Sequence, residues 1–131
     1  MLMPAAVLVV LLLGAIALDQ SAVYLAQREL TDLAASAAND ATTYGLDPGA
    51  LRTGTTHLDR ARVERAVART LEVHDLRGLL PERTTVDVDP DTREVTVHLA
   101  RHVEHLFAKS IPGANRGVDV TTQASAVAEA R

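Results

Sequence analysis

Residues 1–44, MLMPAAVLVVLLLGAIALDQSAVYLAQRELTDLAASAANDATTY, decide the fold. The stretch from Met1 to Leu18 carries no charged residue, and ten of its residues are Leu, Val or Ile. At about 1.5 Å per residue, such a helix spans roughly 27 Å, close to the roughly 30 Å hydrocarbon core of a bilayer. Asp19 is the first charge, and a charge is costly inside lipid. We therefore expect residues 1–18 to be a transmembrane anchor, with Gly14 and Asp19 near its boundary.

Two other interpretations of this apolar run stay open. A cleaved signal peptide has a basic start and a small-residue cleavage site, and Ala15 and Ala17 supply such a site. Against cleavage, no Lys or Arg precedes Arg28, and the helical pattern runs straight through the site. The third interpretation is a core helix of a soluble domain. The anchor is favoured, with the remaining chain outside the cytoplasm and a single pass through the membrane.

Residues 19–44 continue the same helix as an amphipathic segment. Apolar residues recur at intervals of three and four and form a packing face, made of Ala26, Leu30, Leu33, Ala34, Ala37 and Ala41. Small side chains let another element approach closely. The face is either an ordinary core-facing stripe or, as a sharper hypothesis, a surface for self-association.

Residues 45–131 are expected to form a small α+β domain. The turn cluster from Gly45 to Gly49 ends the first helix, and a second helix begins after Thr56, with Asp59 as its capping-box partner, and runs to about Val73. Its polar side is rich in arginine and carries Arg60, Arg62, Arg65 and Arg69. We interpret this side as a solvated face, with a docking surface for an acidic partner or lipid headgroups as the alternative.

Beyond Pro81 the period changes to two. Alternating Val and Leu residues predict strands at 84–88 and 95–99, joined by the hairpin loop 89–93, and a last strand from Val118. Residues 103–111 are expected to form a short helix before that last strand. The predicted fold is therefore α+β, with a long N-terminal helix, a second helix and a small three-stranded antiparallel sheet.

The charge balance argues against a nucleic-acid partner. The chain has 17 acidic and 13 basic residues, a formal net charge of −4, and no Cys. Its bases are almost all Arg and are interspersed with acids, so they form no continuous basic stripe. The absence of Cys removes disulfides and thiolate metal sites from consideration.

No motif points firmly to chemistry. His98, His102 and His105 are spaced so that a helix over 102–105 would place two imidazoles on one face, and Asp87, Asp89 and Asp91 alternate at a hairpin tip. Without an H-E-x-x-H pattern, a G-x-S-x-G elbow or a phosphate loop, we expect no cofactor, no metal and no enzymatic activity.

Several segments carry a family resemblance. The stretch 14–19 (GAIALD), followed by Tyr24-Leu-Ala26, Arg28-Glu-Leu30 and the Ala-rich run 34–38, resembles the N-terminal part of TadE/TadG-like proteins. The Val pairs of the hairpin, Phe107, Ile111-Pro-Gly113 and the late strand resemble the C-terminal part. In processed family members a Gly precedes the apolar run. Here Gly14 lies near its end, so an uncleaved anchor is expected.

The resemblance implies a function without catalysis. It predicts a membrane-anchored, pilin-like or scaffold component of a tight-adherence (Flp) pilus assembly or secretion apparatus, whose partners are the membrane and other pilus-assembly or pilin-like proteins. Self-association through the Ala face is one further option. The alternative function is a small secreted binding module that signal peptidase releases after Ala17.

Overall fold

A computed structural model describes residues 3–129, so the first two and last two residues of the predicted segments lie outside it. The elements are helices α1 (Met3–Tyr44), α2 (Pro48–Arg52) and α3 (Arg60–His74), strands β1 (Thr85–Asp89), β2 (Glu94–Glu104) and β3 (Gly117–Val127), and 3-10 turns at Pro81–Arg83 and Ala108–Ser110. The predicted α+β fold is confirmed.

Helix α1 is one unbroken helix of 42 residues. It ends where the sequence predicts, because the backbone N–H of Gly45 donates to the carbonyl oxygen of Ala41 at 2.9 Å. A Cβ at Gly45 would collide with that same oxygen and with the side chain of Val63. The close approach of α1 and α3 therefore requires Gly at this position.

The predicted packing face of α1 forms the core of the domain. Its members are between 0 and 5% exposed, and they pack against the sheet and α3: Ala26, Leu30, Leu33, Ala34, Ala37 and Ala41. Because these side chains are already covered by the chain's own domain, they are not available for contact with a second copy. The expectation of a core-facing stripe holds, and self-association through this face does not fit the structure.

Two helix starts differ from expectation. Asp59 itself caps α3, since its carboxylate accepts a 3.0 Å hydrogen bond from the N–H of Ala61, and Thr56 plays no part in the cap. The turn cluster after α1 also leads into a short helix, α2, which the Gly and Pro residues of the cluster do not predict. Asp47 caps it by accepting the N–H of Gly49 at 2.9 Å, and Pro48 occupies its first position.

The three strands form an antiparallel sheet in the order β1-β2-β3. Val95, Val97 and Leu99 of the central strand are at most 1% exposed, and the strand packs against α1. The predicted short helix over 103–111 is wrong in its extent. Residues 101–104 pair with 117–120 of β3, so ladder hydrogen bonds extend the strand, and only the Ala108–Ser110 turn remains helical.

Candidate functional site

The Asp19 carboxylate joins the end of the apolar run to a distant loop. Its Oδ1 accepts backbone N–H groups from Leu106 at 2.7 Å and Phe107 at 3.1 Å, and its Oδ2 accepts that of Ala108 at 3.0 Å. Asp19 is only 6% exposed. The predicted boundary residue is therefore also a clamp between α1 and the loop after β2.

The local backbone explains why three donors converge there. Phe107 has helical dihedral angles (φ −105°, ψ −40°), and the 3-10 turn begins at Ala108. The first N–H groups of a helical turn have no carbonyl partner within the turn. A carboxylate has lone pairs for several such donors, so Asp19 satisfies all three with one side chain.

The first part of α1 has the character of a membrane span. Among the described residues, α1 is the one helix that is long and apolar enough to cross a bilayer, judged by length and composition. Its large side chains from Val7 to Leu18 are at least 50% exposed. A Cβ at Gly14 would meet no atom within 4 Å, so this Gly serves no close contact within the domain.

The loop Leu106–Ile111, which we call the 106–111 loop, exposes further apolar surface. Leu106 is 56%, Phe107 45% and Ile111 54% exposed. Lys109, the only Lys of the chain, lies between them. The Asp19 clamp therefore places a second apolar surface beside the end of the apolar run.

Polar contacts farther along α1 attach the helix to the sheet. Gln27 donates from Nε2 to the carbonyl oxygen of Thr121 at 3.0 Å, and the hydroxyls of Thr31 and Thr122 lie 3.1 Å apart. The guanidinium of Arg101 in β2 donates to Oε2 of Glu29 in α1 at 2.9 Å. From Asp19 to Thr31 these contacts cover about 18 Å of helix. They hold the sheet in one orientation relative to α1.

The three candidate His residues do not form one site. His98 Nε2 lies 3.4 Å from Asp87 Oδ2, and His102 Nδ1 lies 2.6 Å from Asp119 Oδ1. His102 belongs to β2, so the helical spacing considered for His102 and His105 is wrong. The buried Nδ1 of His105 has no hydrogen-bond partner in the described part of the chain. Among residues 3–129, no group of three or more His, Cys, Asp or Glu is placed to hold a metal ion.

The alternating Asp residues also separate. Asp87 points to His98, whereas Asp89 Oδ1 accepts the backbone N–H of Asp91 at 2.9 Å and of Thr92 at 3.3 Å. The hydrogen bonds from Asp91 and then Thr92 lower the pKa of Asp89 below its ordinary value. Asp89 therefore acts as the cap of the hairpin turn.

The Arg-rich side of α3 borders a groove of about 750 Å³ between α3 and the end of α1. Two of the four Arg residues pair with acids on their own helix turn, Arg60 with Glu64 at 3.0 Å and Arg62 with Asp59 at 3.6 Å. In the groove the hydroxyl of Thr70 donates a 2.7 Å hydrogen bond to Asp40 Oδ2. This pattern is that of a partly neutralised, solvated helix face.

The sequence does not reveal the clamp, because the partners of Asp19 are backbone groups 87 to 89 residues away. One feature of the sequence pointed to Asp19: it is a single acid directly after a long uncharged run. The spacing of Gln27 and Thr31 by four residues was a second signal, since it puts both on one side of the packing face.

Comparison of the chain with models of protein families, with curated proteins and with solved structures gives no match.

Proposed function

We propose that this chain is a membrane-anchored, non-enzymatic subunit, pilin-like or scaffolding, of a tight-adherence pilus assembly or secretion apparatus. The observation that carries the proposal is the division of α1. Its first part exposes large apolar side chains, and its second part supplies the core of the domain, with Leu30 and Ala34 at 0% exposure. One rigid element is thus both anchor and core.

This construction suits a structural role. A domain on a flexible tether samples many orientations, whereas a domain built around its own anchor helix keeps one. The contacts from Asp19 to Thr31 add to this fixed geometry. An assembly that stacks copies or partners in register depends on such a fixed orientation.

The outer face of the sheet is the surface this orientation presents. It carries polar pairs across neighbouring strands, among them Thr96 with Ser125, whose hydroxyls lie 2.8 Å apart, and His102 with Asp119. Polar, hydrogen-bonding surfaces of this kind suit a reversible protein partner. In the proposed arrangement this face lies outside the cytoplasm.

A pair of matched variants tests the anchor. Leu12 and Leu51 are both helical and both 50% exposed, but only Leu12 lies in the apolar run. An Arg at the centre of a membrane helix costs about 2.5 to 3.5 kcal/mol of insertion free energy. Leu12→Arg should therefore move the full-length protein from the membrane to the soluble or aggregated fraction, and Leu51→Arg should stay in the membrane after alkaline extraction.

The mature N-terminus provides the second arm of the same test. A protein that starts at Leu18 and accumulates in the medium would reject the anchored subunit and favour the secreted binding module.

A deletion strain tests the assembly role: the gene should be deleted in the native bacterium and surface pili counted. Loss of pili, restored by the wild-type chain and not by Leu12→Arg, is expected; unchanged pili would reject the assembly role while leaving the anchor intact.

A further inference from the structure

The 106–111 loop lies level with the end of the apolar run. Three backbone N–H groups of Leu106, Phe107 and Ala108 bind the Asp19 carboxylate, and the 3-10 turn that follows contacts α1. One helical turn below Asp19, Ala15 is half-buried although the residues on either side of it are exposed. The folded domain therefore reaches down alongside the apolar run.

The exposed side chains of this loop are those of a lipid-contacting surface. Leu106, Phe107 and Ile111 are each at least 45% exposed, and they are close together in the chain. Apolar clusters that soluble proteins expose mark contacts with partners or membranes. Large apolar and aromatic side chains are the groups that enter the boundary between headgroups and acyl chains.

The charge of the segment selects the partner. From His105 to Val118 there is no acidic residue, and the segment contains Lys109 and Arg116. The chain as a whole has a net charge of −4, so this basic segment is a local exception. Lys109 has a stem long enough to lie along apolar surface while its ammonium reaches phosphate. Anionic lipids attract such bases when they lie at the membrane surface.

From this placement we propose that the 106–111 loop is a second membrane contact, which inserts Leu106, Phe107 and Ile111 into the headgroup region of an anionic bilayer beside α1. The inference rests on the proposed anchor. Asp19 makes the insertion feasible, because its hydrogen bonds replace the water that the carboxylate and the three N–H groups would otherwise need at this depth. The domain then stands on two supports, helix and loop.

The chain has no Trp, so single Trp substitutions report local environment directly. The full-length variant Phe107→Trp is reconstituted in vesicles of phosphatidylcholine and phosphatidylglycerol, with and without brominated acyl chains. We expect blue-shifted emission that loses most of its intensity with brominated lipid. Tyr44→Trp, at the far end of α1 and 68% exposed in the wild type, should show neither effect.

Leu12→Trp separates failure of the loop from failure of the anchor. Quenching of Leu12→Trp with water-like, unquenched emission from Phe107→Trp would overturn the loop contact and keep the anchor. No quenching at position 12 would reject both. Blue-shifted but unquenched emission from Phe107→Trp would mean that protein, such as a second copy, covers the loop, and would also overturn the lipid contact. Lys109→Glu in the Phe107→Trp background should reduce the quenching in anionic vesicles.

Discussion

The Oδ1 atom of Asp19 accepts a 2.7 Å hydrogen bond from the backbone N–H of Leu106, a residue 87 positions later in the chain. With the two neighbouring bonds from Phe107 and Ala108, it makes the end of the apolar run part of the folded domain. The acid thus has two consequences. It ends the uncharged run of α1, and it fixes which loop lies beside that end.

The clamp should determine the local stability of the 106–111 loop. Asp19→Ala removes both acceptor oxygens and with them all three hydrogen bonds, so the amides of Leu106 to Ala108 should exchange with solvent much faster, and the midpoint of thermal unfolding should fall. Asp19→Asn keeps one acceptor oxygen and should lie between. Hydrogen exchange of the full-length protein in detergent measures the effect. Gln20→Ala, at the exposed neighbouring position, is the control, and equal protection in Asp19→Ala and Gln20→Ala would contradict the clamp.

The Ala-rich face of α1 should respond to added volume as a core does. Ala37 is fully buried, so Ala37→Leu should lower the free energy of unfolding by about 1 to 3 kcal/mol through overpacking. Ala35→Leu, two residues away and exposed, should change it by less than about 0.5 kcal/mol. Urea denaturation of both variants in detergent makes the comparison. Similar stabilities with defective oligomers for Ala37→Leu alone would restore the self-association hypothesis.

The spacing of apolar residues and the Gly and Pro turn signals predicted most of the fold. The spacing of apolar residues identified α1 and its buried face, the Gly45–Gly49 cluster its end, and the alternation of Val residues the hairpin. The segment after Leu99 was harder to assign, because His102 and Val103 are compatible with either period, and their pairing with Asp119 and Val118 of β3 is what makes them part of a strand.

The candidate site was only half predictable for a related reason. Asp19 was visible as an isolated charge after a long apolar run, but its partners are backbone N–H groups, which every non-Pro residue has. The residue types of Leu106 and Ala108 do not identify their backbone N–H groups as donors to this carboxylate. Their position depends on where β2 ends and how the chain turns after it, which is a property of the sheet register.

The hairpin turn should lose stability in acid through Asp89. Its hydrogen bonds from Asp91 and Thr92 lower the pKa of Asp89 in the folded state, so the carboxylate stabilises the fold above its unfolded pKa of about 3.9. That stabilisation is lost as the pH falls through the lower folded value. Wild type should therefore unfold at higher urea than Asp89→Asn at pH 7, and the two midpoints should converge as the pH falls below about 4.

Salt separates the cause of this pH dependence from a general charge effect. Because hydrogen bonds rather than a nearby cation hold the carboxylate, the convergence of wild type and Asp89→Asn should persist at high ionic strength. Parallel urea midpoints at every pH, or a difference that disappears in salt, would show that the turn is not stabilised in this way.

Two glycines with nearly the same backbone angle separate conformational strain from steric contact. Gly54 and Gly78 have φ of +76° and +80°, a region that costs an L-residue roughly 1 to 2 kcal/mol. A Cβ at Gly54 meets nothing within 4 Å, whereas one at Gly78 collides with the carbonyl oxygen of His102. The N–H of His102 donates to the carbonyl of Gly78 at 2.7 Å, so the two backbones are held together and neither moves easily.

Gly54→Ala should therefore lower the free energy of unfolding by about 1 kcal/mol, and Gly78→Ala by clearly more, in urea unfolding of the full-length protein. Equal losses would mean that the segment around Gly78 moves away from β2 without penalty, and the bridge between Leu79 and Arg101 would then contribute little to the fold.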